Sequence, residues 1–259
     1  MSENAVRASW RKNKLAFAGR TVVDSKFRHG VHHGLVAILA RLNGFRLYNK
    51  YLIWHTDEEF LKAWRGFGPN AVSVQDRKYT LFNFARALKA VPGDLAECGI
   101  FQGASSYLML AASEGSDKKL CGFDSFEGLS EPGEFDSVSD GRAFEWKQND
   151  LSVAEATVRT NLSKYADKIE LYKGWIPERF SEIENRRFSL VHIDVDLYDP
   201  TYASVAFFYP RLSKGGAIVC DDYGFTTCPG AKRAMDEFAA SQGTAVASLP
   251  TGQGVLFKA

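Results

Sequence analysis

Four carboxylates stand in two close pairs in the second half of the chain. Asp194 and Asp196 fall within Ser189-Leu-Val-His-Ile-Asp-Val-Asp-Leu-Tyr-Asp199, and Asp221 and Asp222 within Ala217-Ile-Val-Cys-Asp-Asp-Tyr223. Each pair follows a short apolar, β-branched run, the signature of a buried strand in a parallel sheet. Asp194 and Asp196 lie two apart, so on an extended chain they share a face. In open α/β sheets, ligands sit beyond the carboxyl ends of the strands. Four acids converging there repel one another unless a cation joins them. Asp194, Asp221 and Asp222 form an all-oxygen set, which suits a hard cation such as Mg²⁺ rather than zinc. Asp196 is the carboxylate left over. One Asp at a strand end is as readily a helix cap or an ion-pair partner; D-x-D plus D-D on neighbouring strands is the stronger signal. His192 shares the face of Asp194 but lies deeper, and reads as a hydrogen-bonded core histidine.

A second constellation lies upstream. Glu97-Cys-Gly-Ile-Phe-Gln-Gly103 follows a predicted strand and opens a predicted helix. Gly99 and Gly103 let the backbone approach a ligand, and the helix start at Ser105 offers unpaired N–H groups. The spacing is not G-x-G-x-x-G, so the dinucleotide fingerprint is absent. Asp124, in Asp124-Ser-Phe-Glu-Gly128, comes 25 residues after Gly99 at the end of the next strand. An acid there can accept from the two hydroxyls of a ribose, or simply cap the following turn. Together the turn and the acid suit an adenosine-type cofactor. Trp175 either stacks on an adenine or packs.

The elements that position these residues follow from periodicity and punctuation. Strands are predicted at 95–98, 120–123, 169–172, 190–195 and 217–220, with two more at 245–249 and 255–258. Helices are predicted at 57–67 with Thr56 as N-cap, 76–90, 105–113, 151–162, 177–183, 202–212 and 230–240. An amphipathic helix or two is expected over 31–51, covering one side of a domain or lying on a membrane. Residues 127–150 are rich in Gly, Ser, Asp and Glu without a clear period and read as a long lid loop. The alternation means a parallel α/β sheet with helices on both faces. The expected layout is an N-terminal basic arm and helical cap over 1–75 and one cofactor-binding domain over 76–259.

Bulk numbers exclude other classes. Hydrophobic content of 45% and charged content of 24% are those of a globular protein. Residues 1–50 hold ten Lys/Arg against two Asp/Glu, whereas the rest holds 22 against 29. The basic arm fits an anionic partner or membrane surface, and equally a solvated leader. Cys98, Cys121, Cys220 and Cys228 show no C-x-x-C spacing, so neither a zinc site nor a disulfide framework is expected. No run approaches the ~18 apolar residues of a membrane span. A cytoplasmic location is expected, with no nucleic-acid partner.

With these residues in hand, the chain resembles the macrocin O-methyltransferase family (TylF/MycF/NovP type). The matching pieces are Pro92-Gly-Asp-Leu-Ala-Glu-Cys-Gly99 with Gly103, Gly122-Phe-Asp-Ser-Phe-Glu-Gly-Leu129, Lys173-Gly-Trp175, His192-Ile-Asp-Val-Asp-Leu-Tyr198 and Gly215-Gly216 through Asp221-Asp-Tyr-Gly224. Pro229-Gly230 and Thr251-Gly-Gln-Gly254 add to the set, and the likeness spans residues 75–259. It implies a class I methyltransferase fold, a mostly parallel seven-stranded sheet ending in an antiparallel hairpin. It also implies S-adenosylmethionine held by Glu97, Gly99, Gly103, Ser105, Asp124, Ser125 and Trp175. By the same resemblance Asp194, Asp221 and Asp222 hold Mg²⁺ and Asp196 is the general base. The acceptor would be a hydroxyl on a sugar of a small molecule or glycan, and the protein a homo-oligomer. Catechol-like phenols also chelate a metal and stay open as acceptors. Two rivals are weighed against this: a metal-dependent nucleotide-sugar glycosyltransferase using the D-x-D, and a partner subunit without chemistry of its own.

Overall fold

In the computed structural model the described residues are Ile38, Leu42, Trp54, 56–68, 75–137 and 145–259. The basic arm and most of the helical segment expected over 31–51 lie outside them, as does the middle of the expected lid loop. Packing divides the chain into Met1–Ile53 and Trp54–Ala259. The second unit carries everything that follows.

Its core is one seven-stranded sheet. The strands are β1 (Asp94–Cys98), β2 (Leu120–Asp124), β3 (Ile169–Lys173), β4 (Phe188–Ile193), β5 (Leu212–Cys220), β6 (Ala247–Ser248) and β7 (Gly254–Phe257). The order across the sheet is β3-β2-β1-β4-β5-β7-β6. The first five strands are parallel, and β7 runs antiparallel to both β5 and β6. All seven expected strands are present. This is the class I methyltransferase topology.

Alternation along the strands divides the core in two. Leu95, Leu120, Leu190, Ala217 and Val219 pack against α1 (Glu58–Phe67), α2 (Gln75–Ala87) and α3 (Ala104–Ala112). Their neighbours Ala96, Cys121, Val191, Ile218 and Cys220 face α5 (Tyr198–Phe208) and α6 (Pro229–Ser241) on the other side. The short α4 (Glu155–Asn161) adds Val158 to the first layer. Phe60 of α1 is fully buried between Tyr79 and Phe82 of α2, with ring centroids 5.1 and 5.5 Å away. Asp57 caps α1 by accepting from Phe60 N at 3.1 Å, and pairs with Arg86 of α2 at 3.1 Å. These contacts fix α2, whose first turn points at the carboxyl edge of the sheet.

Several helix boundaries differ from the sequence reading, each for a local reason. The cap of α1 is Asp57, not Thr56. Helix α5 begins at Tyr198, not 202, because Pro200 falls in the first turn, where a missing N–H costs nothing. The helix expected from 151 begins only at Glu155, since Leu151 has φ +65° and cannot be helical. The segment expected as a helix at 177–183 keeps only a 3₁₀ turn, Phe180–Ile183.

One glycine is indispensable to the edge. Gly99 has φ +83°, and a Cβ there would lie 1.9 Å from the Asp194 carbonyl oxygen. The chain leaving β1 touches the chain leaving β4. Gly99→Ala is therefore expected to cost at least about 2 kcal/mol in urea unfolding. A wild-type midpoint would mean that β4's exit is not held against β1.

Candidate active site

Beyond the carboxyl edge lies a cavity of about 430 Å³. Gly99, Ser105, Asp124, Ser125, Trp175, Asp194, Asp196, Asp221 and Asp222 all line it. The expected nucleoside half and the expected acid half therefore share one space. Glu97 and Gly103 do not reach it. Glu97 is fully buried below the edge, where it hydrogen-bonds His192 Nδ1 at 2.9 Å and accepts from the Ser106 hydroxyl. Gly103 starts α3 at φ +92° and packs against Leu162.

Asp124 holds the glycine turn itself. Its Oδ2 accepts from Ile100 N at 2.7 Å and Phe101 N at 3.1 Å, and its Oδ1 from Phe126 N at 2.7 Å. A carboxylate oxygen has two lone pairs, so one direction on Oδ1 stays open toward a ligand hydroxyl. Ser125 donates to Gly128 O at 2.9 Å and accepts from Glu127 N at 3.0 Å, closing the next turn.

Three of the four acids are compensated by groups without a signal in the sequence. Arg77 and Lys78, on the first turn of α2, reach into the cluster. The Arg77 guanidinium pairs with Asp221 and lies 3.7 Å from Asp222 Oδ1. Lys78, almost fully buried, bonds the Ser105 hydroxyl and lies 3.6 Å from Asp194 and 4.0 Å from Asp221. Gln253, fully buried, donates to Asp221 Oδ1 at 2.6 Å. His192 Nε2 stands 3.4 Å from the same oxygen without a hydrogen bond. A charged pair on a helix ordinarily reads as its solvated face, so periodicity carried no signal for these cations.

The D-x-D pair does not sit on an extended strand. β4 stops at Ile193, and Asp196 has φ +61° inside a tight turn in which Leu197 N donates to Val195 O at 2.6 Å. Such a conformation stores strain in a non-glycine residue. Its effect is to part the two acids. Ligand atoms of Asp194 gather with those of Asp221 and His192, and those of Asp196 with Asp222 and Cys228. Burial pushes the Asp196 carboxyl up to about 7, helped by the charge of Asp194. Burial also raises Asp222 well above the carboxylate range, with Asp196 and Asp194 adding to it. Asp194 moves the other way, because the attraction of Lys78 and Arg77 outweighs its burial. The Cys228 thiol, held protonated by burial, donates to Asp196 Oδ1 at 3.5 Å.

The family model for macrocin-O-methyltransferase (TylF) matches residues 82–248. The chain belongs to the macrocin-O-methyltransferase (TylF) family. Demethyldecarbamoylnovobiocin O-methyltransferase of Streptomyces niveus is 32% identical over 157 residues, 58% of this chain and 59% of that protein. The 8-demethyl-8-(2,3-dimethoxy-alpha-L-rhamnosyl)-tetracenomycin-C 4'-O-methyltransferase of Streptomyces olivaceus is 33% identical over 146 residues, 53% of this chain and 56% of that one. The chain thus matches somewhat over half the length of these relatives. The solved structure of the O-methyltransferase NovP aligns with a TM-score of 0.57 at 27% identity, covering 70% of this chain and 79% of that one. Among the described residues no helix is long and apolar enough to cross a membrane.

In this TylF-family chain Glu97 supports the site from beneath. Removing it leaves His192 without its buried partner. Glu97→Ala is expected to lower stability by about 2–3 kcal/mol. Lost cofactor binding at unchanged stability would instead place this carboxylate in the cavity.

Proposed function

We propose that the chain transfers the methyl group of S-adenosylmethionine to a hydroxyl on a sugar, carried by a glycosylated small molecule or a glycan. The observation that supports this best is the single cavity joining the Asp124-braced glycine turn to the acid cluster. A nucleoside on the turn and an acceptor at the acids would meet inside it. Family membership points to methyl transfer, and the tetracenomycin relative's name points to a sugar hydroxyl.

The reaction asks for little covalent chemistry from the protein. The acceptor oxygen attacks the methyl carbon, the carbon–sulfur bond breaks, S-adenosylhomocysteine leaves neutral, and the hydroxyl proton goes to a base. Asp196 is that base in our reading. It faces the cavity and, among the described residues, is the one acid of the four without an ion pair. Its hydrogen bonds come from a thiol and leave Oδ2 open.

The oxygen donors also suit a divalent ion, although Asp222's ligand atoms gather with those of Asp196 and Cys228 and not with those of Asp194 and Asp221. Asp194 Oδ2 faces Lys78, Asp222 Oδ1 faces Arg77, and Asp221 Oδ2 faces both, so each acid aims an oxygen at a cation. Asp194, Asp221 and Asp222 would hold Mg²⁺, which when bound would lower the pKa of the acceptor hydroxyl and fix its oxygen. Asp196 receives the proton, Trp175 and Ser125 line the nucleoside side, and Ser105 stands where α3 opens toward it.

Two measurements test this. Asp196→Asn should keep S-adenosylhomocysteine affinity while kcat falls by roughly 10²–10⁴-fold; near-normal turnover would remove the base assignment. In calorimetry, Asp221→Asn/Asp222→Asn should keep the nucleoside and lose Mg²⁺. A wild type that binds a nucleotide sugar and no S-adenosylhomocysteine would point to glycosyl transfer.

A further inference from the structure

We propose that Arg77 is a resident counter-ion that occupies the cation seat of the acid cluster, and that it must leave Asp221 before a divalent ion can bind. This rests on the metal reading above and concerns what guards that site. The guanidinium pairs with Asp221 and stands 3.7 Å from Asp222 Oδ1. These are two of the three acids that would hold the ion. A hard dication binds carboxylate oxygens at about 2.0–2.6 Å. A guanidinium kept on the same oxygen would set a second positive charge beside the ion in a poorly screened site, so the two compete for Asp221.

The arginine is held firmly enough to matter and loosely enough to exchange. Its side chain is only 18% exposed, and its guanidinium lies over the Phe225 ring, 4.4 Å from the centroid. Among the described residues its buried Nε–H has no hydrogen-bond partner. A buried donor left unmade weakens the hold on the bound position. The main chain is fastened separately: Gln253 Nε2 contacts Arg77 O at 3.3 Å as well as Asp221 Oδ1 at 2.6 Å. The side chain can therefore swing away while the first turn of α2 stays docked. Arg77 lines the cavity, so it has somewhere to go. Lys78 is different. Its ammonium is anchored on the Ser105 hydroxyl and stands 3.6 Å from Asp194 and 4.0 Å from Asp221, beyond bonding range of the oxygen Arg77 holds, so it is not the occupant that must move.

Calorimetric titration of Mn²⁺ into the full chain tests the idea without an acceptor or turnover. Arg77→Gln should bind Mn²⁺ at least about tenfold more tightly than wild type, the size of one charge-assisted hydrogen bond taken from the competitor. The same variant should unfold at a lower temperature than wild type without metal, and regain the difference when Mn²⁺ is added. Phe225→Leu, which loosens the guanidinium without touching an acid, should shift the affinity the same way by a smaller factor. If Arg77→Gln does not fold, Phe225→Leu and the milder Arg77→Lys decide the matter alone. Unchanged or weaker Mn²⁺ binding in the folded variants would overturn the proposal and make Arg77 a support of the site. If neither wild type nor variants bind Mn²⁺ while S-adenosylhomocysteine still binds, the metal reading itself falls, and the proposal with it.

Discussion

Ile193 and Cys220 are register partners on neighbouring parallel strands, and Asp221 N donates to Ile193 O at 2.8 Å. The chain therefore leaves both strands at one level, with acids side by side about 4.8 Å apart in the strand-pairing direction. Every other feature of the edge answers that crowding. Burial pushes the Asp196 and Asp222 carboxyls up, the direction that eases the repulsion. Arg77 and Lys78 supply positive charge, and Gln253 supplies a donor from the hairpin, while the His192–Glu97 pair lies buried beneath them. Helix α1 contributes to chemistry only through this chain of support, because Phe60 and Asp57 fix the helix that carries the two cations.

The turn at Asp196 has a physical logic of its own. An extended D-x-D would have set both carboxylates on one face, doubling the repulsion at a single point. The positive-φ turn sends Asp194 toward the basic residues and leaves Asp196 against the Cys228 thiol. The strain is contained by neighbours: Asp222 Oδ2 accepts from Asp196 N at 3.1 Å, and the following helix is fastened by Asp136, whose Oδ1 accepts from Tyr198 N at 2.8 Å. Gly230 has no room for a side chain, since a Cβ would meet Asp136 Oδ1 and Tyr198 N. The loop beginning near 127, the acid turn and α6 are thus locked together at one point.

What the sequence made legible was whatever depends on local pattern. Short β-branched runs, glycine turns and acids at strand ends announced the sheet, the edge and the cavity, because each is encoded within about ten residues. Asp194, Asp221 and Asp222 could be picked out because D-x-D and D-D follow two apolar strands, a pattern that single caps or ion pairs do not produce. Arg77 and Lys78 could not. On α2 they sit among Gln75, Asp76 and Thr80, a stretch whose polarity resembles any exposed first turn, and their partners lie 116 to 145 residues away. Glu97 was singled out by the motif around it; only the contact with His192 shows that its carboxylate is buried beneath the edge. Leu151 was read into a helix and Asp196 onto extended chain just past a strand because a positive φ at a non-glycine residue leaves no trace in composition.

The same division bears on how such a site is assembled. The matched family segment, residues 82–248, contains all four acids but neither Arg77, Lys78 nor Gln253. The carboxylates follow directly on β4 and β5 at the centre of the sheet, whose register ends at the Ile193–Cys220 pair. Their counter-ions come from α2, which precedes the first strand, and the Gln253 amide from the terminal hairpin, whose β7 pairs with β5. A charge cluster divided this way can change its net charge without moving a strand. Shifting one side chain on α2 alters the field at the acids, while the glycine turn and Asp124 keep their places. The cavity can then hold its nucleoside half constant while its acid half responds to whichever cation is present.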